Sequence, residues 1–146
     1  MSIEDDIALL SRVPSFNLLG MSAIQVLAIG AEQRDFEYGD ELFHAGEAAD
    51  SGFVVRSGSF RVAAEGMPDV IADPASLIGE LALLVRMDRP GTATALERSS
   101  VIRISRSLFL RVLESHPEAA RRLRDDLAAR TDSAASAIAR LTTKLI

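Results

Sequence analysis

The residues best suited to chemistry lie in the segment Leu77–Leu84 and at Arg89, nine residues beyond Glu80. Arginine offers parallel N–H donors to an anion and keeps its charge at neutral pH. Gly79 permits close approach of the backbone to a ligand, because it has no Cβ. Residues Leu81–Leu84 suit a single helical turn, whose first N–H groups would point at an anion. The segment therefore predicts a site for a small anionic ligand, with the Glu80 carboxylate as an acceptor for a hydroxyl group.

No catalytic or metal-binding pattern accompanies this segment. The chain has no cysteine, which excludes a disulfide framework and a thiolate metal site. Its two histidines, His44 and His116, are far apart and have no acidic or histidine partner at ligand spacing, as a metal-binding cupin would require. The sequence also lacks a Ser-His-Asp pattern, a paired-carboxylate pattern and a glycine-rich triphosphate loop. We therefore expect neither a metal site nor enzymatic activity.

The composition is that of one globular domain. The chain has 146 residues, of which 48% are hydrophobic and 25% charged, so it is long enough to bury a core. A net charge of -5 argues against nonspecific binding to nucleic acid, which needs a basic face. The acidic N-terminus is unlike a signal peptide, and the longest wholly apolar stretch, Leu81–Val85, is too short to cross a bilayer. We expect a cytoplasmic protein that does not contact membranes.

Hydrophobic patterning divides the single predicted domain, residues 1–146, into three regions. Residues 1–30 are predicted to form helices, interrupted at Pro14, with Ser22 as the cap of the second helix. Across residues 31–105 the apolar residues come in short bursts between glycine and aspartate punctuation, which is typical of a β-sandwich or barrel. The predicted strands are Gln33–Tyr38, Glu41–His44, Gly52–Arg56, Ser59–Ala63, Val70–Ala72, Thr92–Leu96 and Ser100–Ile104.

The third region, residues 106–146, returns to a helical pattern. Ser107 is expected to cap a short helix through Leu113, and Pro117 to begin a long one. Two series of residues on the long helix recur every seven positions, which is the period of a helix seam. They are Ala120, Leu127, Ala134 and Leu141, and then Thr131, Ile138 and Leu145. The seam fits a helix packed on its own sandwich and a homodimer equally well.

The Gly-Glu segment and Arg89 resemble the phosphate-binding cassette of cyclic nucleotide-binding domains, the family of the catabolite activator protein and of kinase regulatory subunits. The cassette has an aromatic residue, Gly-Glu, a short apolar helix, and an arginine followed by small residues. The resemblance extends along essentially the whole chain, through Val13–Phe16, Gly39–Phe43, Gly46-Glu47, Val54–Gly58, Ala95-Leu96, Arg106–Phe109 and Pro117. It implies a mainly β fold, a double-stranded β-helix (jelly roll) with N-terminal helices and a long C-terminal helix.

The resemblance also implies a ligand and its contacts. Glu80 is implied to bind the ribose 2′-hydroxyl and Arg89 the cyclic phosphate, helped by the backbone amides of Leu81 and Ala82. The implied binding site is completed by Gly79, Pro90, Gly91 and Thr92. The expected ligand is cyclic AMP or cyclic GMP, with no further cofactor. Movement of the C-terminal helices would then signal to an effector protein.

Three departures from the family pattern bear on ligand binding. Pro90 follows Arg89 where the family has a small residue, and proline lacks the N–H expected at the phosphate. One lost hydrogen bond to a charged group costs about 1.5–3 kcal/mol, or roughly ten- to a hundredfold in affinity. In a second alignment Thr92–Thr94 supply the small residues and Gly91 takes the arginine's place. The gapless alignment, with Arg89 as the arginine, also matches the strand and helix that follow. The third departure is Ile78 in place of the aromatic residue.

Other interpretations stay open from the sequence. Glu80 and Arg89 also suit a structural ion pair without ligand, which would leave a ligand-free dimerisation or docking module on the same fold. Arg130 is expected either to reach Glu80 or to be solvated. Transcription regulators of this family place a helix-turn-helix domain after the long helix. The sequence stops at Ile146, so we expect a stand-alone sensor domain without DNA contact.

Overall fold

Ten short strands, flanked by helices, make up residues 2–130, the part of the chain that the computed structural model describes. The helices are α1 (Ile3–Ser11), α2 (Pro14–Asn17), α3 (Met21–Gly30), α4 (Arg106–Ser115) and α5, which is described over residues 117–130. The strands are β1 (Glu32–Phe36), β2 (Glu41–Phe43), β3 (Ala48–Ala49), β4 (Ser51–Ser57), β5 (Phe60–Ala64), β6 (Val70–Ala72), β7 (Leu77–Ile78), β8 (Met87–Asp88), β9 (Gly91–Ala95) and β10 (Ser99–Ser105). A 3₁₀ turn, Glu80–Leu83, lies between β7 and β8.

The strands form two four-stranded sheets and one two-stranded pair. The first sheet has the order β1-β10-β4-β7 and the second the order β2-β9-β5-β6, while β3 pairs with β8. Neighbouring strands are antiparallel throughout residues 2–130, and the hairpin neighbours β5 and β6 lie in a different sheet from β4. This arrangement confirms the predicted jelly roll with flanking helices.

Two apolar clusters hold these layers together. One lies between the helices and the first sheet and includes Leu10, Phe16, Leu27, Ile104 and the 3₁₀-turn residue Leu83. The other lies between the sheets and consists of Phe43, Phe53, Val55, Phe60, Ala72, Ile78, Ala93, Ala95 and Val101. Since Leu83 is buried in the first cluster, the turn that follows β7 is fixed to the helical side of the domain.

The seven predicted strands are present; Val70–Ala72 has the predicted bounds, and the other six differ by one or two residues at one or both ends. Strand β1 ends at Phe36, and Tyr38 lies in a turn instead. The sequence prediction also missed β3, β7 and β8, which have two residues each. Two residues are too few to show an alternating pattern, so only the pairing with a neighbouring strand reveals them.

Two predicted helix caps are wrong. Helix α3 begins one residue before Ser22, with Gly20 at the N-cap, and the Ser22 hydroxyl lies 3.2 Å from His116 Nε2 instead. Helix α4 is capped by Ser105, whose Oγ accepts from the Leu108 N–H, and not by Ser107. Strand β10 runs directly into α4, so the last extended residue provides the cap.

Helix α5 starts at residue 117, as the proline there predicted, and packs on its own domain over the described residues. Ala119 and Leu123 are buried in the helical core cluster, and Leu127 is partly buried against it. These positions are four residues apart, as expected for one face of a helix on a core. The seam residues from 131 onward lie outside the described part of the chain, so the homodimer stays a prediction. No helix within residues 2–130 is long and apolar enough to cross a membrane.

The turn between β4 and β5 requires a glycine at position 58. Gly58 has a φ of +79°, and a Cβ there would lie 2.7 Å from the carbonyl oxygen of Arg98 and against the Ser99 side chain. A left-handed conformation alone costs a side-chain-bearing residue about 1–2 kcal/mol. The turn therefore tolerates no side chain at this position, for both conformational and steric reasons.

We expect Gly58→Ala to lower the free energy of unfolding by at least about 1 kcal/mol more than Gly46→Ala, because overpacking is added to the conformational cost. Gly46 is the matched control, since its φ is +91° and its Cβ position is open. Urea unfolding of the three proteins measures the difference. If both variants lost the same free energy of unfolding, a steric clash at position 58 would be contradicted.

Candidate ligand-binding site

The segment from Gly79 to Arg89 connects the two sheets and is tied down at several points. Gly79 has a φ of +81° and ends β7, so that the 3₁₀ turn begins at Glu80. Ala82 and Leu83 are buried, which anchors the turn against the core. Arg106 at the start of α4 donates from Nε to the carbonyl of Ala82 over 2.8 Å. The segment is thus held by packing and by a charged donor.

Arg89 is a buried cation. The residue is only 6% exposed, and its Nη2 donates to the Ser51 carbonyl at 2.9 Å and to the Ser51 hydroxyl at 3.3 Å. Its Cζ lies 4.3 Å from the ring centroid of Phe43 and 5.4 Å from that of Phe53. Within residues 2–130 the guanidinium forms no salt bridge with a carboxylate. Neutral dipoles and aromatic faces therefore hold a charge that usually has an acidic partner.

The protonation of Arg89 reflects this environment. Burial lowers the pKa of the guanidinium from its ordinary value, and the carboxylates of Asp50 and Glu47 partly oppose this effect. Arginine starts from so high a pKa that it stays charged at neutral pH. The interior beside the loop therefore contains a positive charge that attracts an anion.

Gly79 and Arg89 are in direct contact. A Cβ on Gly79 would lie 2.6 Å from Arg89 Nη1 and 3.4 Å from the Ser51 carbonyl oxygen. The glycine is needed here both for its left-handed conformation and for this close approach. The structure thus brings together two of the predicted site residues.

Glu80 points toward the helices. Its Oε1 accepts a hydrogen bond of 2.6 Å from the Ser15 hydroxyl on α2 and one of 2.9 Å from Arg130 Nη2 on α5. Arg130 Nε also lies 3.2 Å from Asp126. Arg130 therefore reaches Glu80, and the prediction of an ion pair between Glu80 and Arg89 is wrong, because each of the two has other partners.

The pKa of Glu80 lies below its ordinary value. Burial alone would raise it, but the hydrogen bonds from Arg130 and Ser15, together with the charge of Arg130, outweigh burial. The carboxylate is thus ionised at neutral pH and acts as an acceptor for both donors.

A cavity of about 640 Å³ opens beside Glu80. Its apolar wall consists of strand residues, mainly Val62, Val70, Ile71, Ala72, Leu77 and Ile78. Its polar groups come from Ser15, Ser76, Glu80 and Arg130. An apolar wall with a few convergent polar groups is typical of small-molecule sites, and the volume lies within their usual range of about 300–1,000 Å³.

The predicted site residues do not all line this cavity. Gly79 and Glu80 line it, whereas Arg89 contacts Gly79 without being part of the cavity wall. Leu81 is 55% exposed and Ala82 is buried, and neither belongs to the wall. The Ala82 N–H donates to the Gly79 carbonyl at 3.2 Å. In this structure the 3₁₀ turn itself uses that amide, and its role as a ligand donor stays a prediction.

The three residues after Arg89 lie outside the cavity. Pro90 is exposed. Gly91 is buried against β5, where a Cβ would lie 2.5 Å from the Ala63 carbonyl oxygen. The Thr92 hydroxyl accepts from the Ala45 N–H at 3.0 Å. Gly91 and Thr92 therefore contact a neighbouring strand and a neighbouring loop here, and their place in the binding site stays a prediction.

The burial of Arg89 bears on the two alignments with the family pattern. Arg89 is buried against Gly79, while Gly91 lies against strand β5. Arg86 is exposed. These positions favour the gapless alignment, in which Arg89 is the arginine of the cassette.

Sequence reasoning missed Ser51, Phe43 and Phe53 as partners of Arg89, and Ser15 as a partner of Glu80. The first three come from other strands and carry no local signal. Ser15 did carry one, because it is a hydroxyl residue within the Val13–Phe16 motif, where the family often has Pro-Leu-Phe. A polar residue in an otherwise apolar motif is a reason to look for a buried partner.

Comparisons with known proteins agree with this geometry. The family model of the cyclic nucleotide-binding domain matches residues 33–116. The HTH-type transcriptional regulator Cmr of Mycobacterium tuberculosis is 30% identical over 115 residues, which are 76% of this chain and 47% of that protein. An uncharacterized NTE family protein of Mycobacterium tuberculosis is 37% identical over 111 residues, 74% of this chain and 19% of that protein. The chain thus spans less than half the length of these curated relatives.

A solved structure shows the same fold. The N-terminal domain of a transcriptional regulator from Streptomyces coelicolor superposes with a TM-score of 0.80 and 27% sequence identity. The match covers 89% of this chain and 94% of that one. The similarity therefore extends to the flanking helices and is not confined to the β-sheets.

We expect Glu80→Gln to reduce stability at neutral pH and to lose this effect in acid. Folding lowers the pKa of Glu80. The ionised carboxylate therefore adds to the free energy of unfolding at a pH above the ordinary pKa near 4.5, and this contribution is lost as the pH falls through the lower pKa of the folded state. Urea unfolding at intervals from about pH 6.5 to pH 3 measures the difference between variant and parent. The control is Glu65→Gln, at an exposed glutamate in the β5–β6 turn. A difference between Glu80→Gln and the parent that does not change with pH would contradict the ionised network.

Proposed function

The chain belongs to the family of cyclic nucleotide-binding domains, and we propose that it senses cyclic AMP or cyclic GMP. One observation carries the proposal: the Arg89 guanidinium is buried without a carboxylate partner within residues 2–130, in contact with Gly79 at the edge of a 640 Å³ cavity. A cyclic phosphate carries one negative charge. It would give the buried cation the partner that the described residues do not provide.

The cavity supports the rest of such a ligand. Its apolar strand residues, among them Ile71 and Ile78, suit the flat face of a purine base. Its polar groups, Ser15, Glu80 and Arg130, lie together and suit the sugar. The proposed order within the site is therefore phosphate beside Gly79, sugar beside Glu80 and base against the strands.

The proposal includes a rearrangement at the cassette. Arg89 contacts Gly79 but does not line the cavity. Direct contact between phosphate and guanidinium therefore requires the loop at Gly79 or the Arg89 side chain to shift when the ligand binds. Pro90 supplies no N–H, so we expect weaker binding than in a cassette with two small residues after the arginine.

We propose that the signal passes through the helices that contact Glu80. Arg130 on α5 donates to the carboxylate that the sugar would use, so a bound ligand changes the contacts of α5. A ligand that contacts two helix positions differently shifts the balance between them. On this proposal the chain is a non-enzymatic cytoplasmic regulator. It would act on an effector protein, with the long helix as a candidate homodimer seam.

A ligand-free interaction module is the second candidate. It is favoured by the absence of Arg89 from the cavity wall and by the two protein donors that already bind Glu80 Oε1. Pro90 adds to this, since it removes a donor at the phosphate. The output of such a module would be dimerisation or docking through the C-terminal helices.

Isothermal calorimetry with cyclic AMP and cyclic GMP tests the two candidates. We expect binding of at least one nucleotide, and we expect Arg89→Ala to lower its affinity at least about 30-fold. Truncating one partner of a buried charge pair costs about 2 kcal/mol or more. Arg86→Ala is the matched control, because Arg86 is an exposed arginine of the same segment. It should bind like the parent.

Absence of heat with folded protein at about millimolar ligand would overturn the sensor and support the ligand-free module. Equal losses in Arg86→Ala and Arg89→Ala would instead show a general charge effect. Circular dichroism of Arg89→Ala, with Arg89→Lys as a second variant that keeps the charge, separates loss of binding from loss of folding. A thermal-shift series provides an independent measure, because a ligand at a hundred times its Kd adds roughly 2.7 kcal/mol of stability.

A further inference from the structure

Glu80 is held at one oxygen by two elements of different rigidity. Hydrogen bonds within residues 2–130 reach its carboxylate only at Oε1, from Ser15 Oγ at 2.6 Å and from Arg130 Nη2 at 2.9 Å. Two donors at the same oxygen restrict rotation of the carboxylate. The second oxygen, Oε2, is left as an acceptor for another donor.

Ser15 is the more rigid of the two donors. It is only 9% exposed, and its neighbours Val13 and Phe16 are buried in the helical core cluster. Pro14 precedes it at the start of α2 and fixes the backbone there. By contrast, the side chain of Arg130 is 49% exposed and is shared with Asp126. The direction of the Glu80 carboxylate therefore depends mainly on Ser15.

Ser15 and Glu80 also line the same cavity. A serine hydroxyl has one proton to donate, and here that proton is directed to Oε1. A leucine, the residue that the family often has at this point of the motif, donates none. The contact therefore depends on the hydroxyl at this position.

We infer that Ser15 is a positioning residue, which orients Glu80 so that Oε2 accepts the sugar hydroxyl of a cyclic ribonucleotide. This inference rests on the proposed function and adds a residue outside the cassette to the selectivity of the site. It predicts that Ser15 affects only those ligands that carry a hydroxyl for Glu80. A purely structural role of Ser15 would affect all ligands alike.

The test compares cyclic AMP with its 2′-deoxy analogue by calorimetry (or the cyclic GMP pair, if that nucleotide binds more tightly). We expect Ser15→Ala to weaken binding of the ribonucleotide about tenfold, the scale of one hydrogen bond to a charged group, and to leave the deoxy analogue within about twofold. Ser15→Thr keeps the hydroxyl and should restore most of the preference. Ser11→Ala is the control, because Ser11 lies outside the cavity wall and its hydroxyl donates to the Ile7 carbonyl of its own helix; it should leave both affinities unchanged.

The outcomes separate this inference from the proposed function. If the parent binds and Ser15→Ala weakens both nucleotides equally, or neither, Ser15 does not position Glu80, while the sensor function stands. If the parent binds no cyclic nucleotide, the sensor function fails and this inference fails with it. Should Ser15→Ala not fold, Ser15→Cys keeps nearly the same shape with a weak donor and decides the question by the same comparison.

Discussion

A positive charge buried between the sheets is the constraint on which the site depends. The Arg89 guanidinium lies over Phe43 and close to Phe53, and it is hydrogen-bonded to Ser51. Such a charge is stable only where its surroundings offer dipoles and aromatic faces. Those groups come from β2 and β4, so both sheets must be in place before the arginine is buried. The requirement for glycine at position 79 follows, because a larger residue would collide with the guanidinium.

The second centre of the structure is the Glu80 carboxylate, which joins three parts of the chain. It belongs to the 3₁₀ turn, yet its hydrogen-bond donors come from α2 and α5. The same turn is held by the packing of Leu83 in the core and by the hydrogen bond from Arg106 of α4. A change at this carboxylate therefore alters the contacts of α2 and α5, which lie near the two ends of the described chain. The proposed signal to the helices would use this connection.

Much of the fold was predictable, because its signals are local. Short apolar bursts between glycine and aspartate residues predicted seven of the ten strands within residues 2–130, and Pro117 marked the start of α5. The missed strands have two residues each and exist only through their partners. The caps predicted at Ser22 and Ser107 lie two residues beyond the observed N-caps, Gly20 and Ser105, because the path of the preceding turn or strand decides where each helix begins.

The sequence by itself determined the fold family, a glycine at position 79 that permits close approach, and the presence of a glutamate and an arginine at cassette spacing. These follow from residue type and from short-range order along the chain. Tertiary structure alone decided that Arg89 is buried beside Gly79, that Glu80 turns to Ser15 and Arg130, and that Thr92 does not face the cavity. The reason is that hydrogen bonds act over about 3 Å. The two residues of a hydrogen bond in this site lie up to 65 positions apart. The packing of whole elements brings them together, and spacing in the sequence does not.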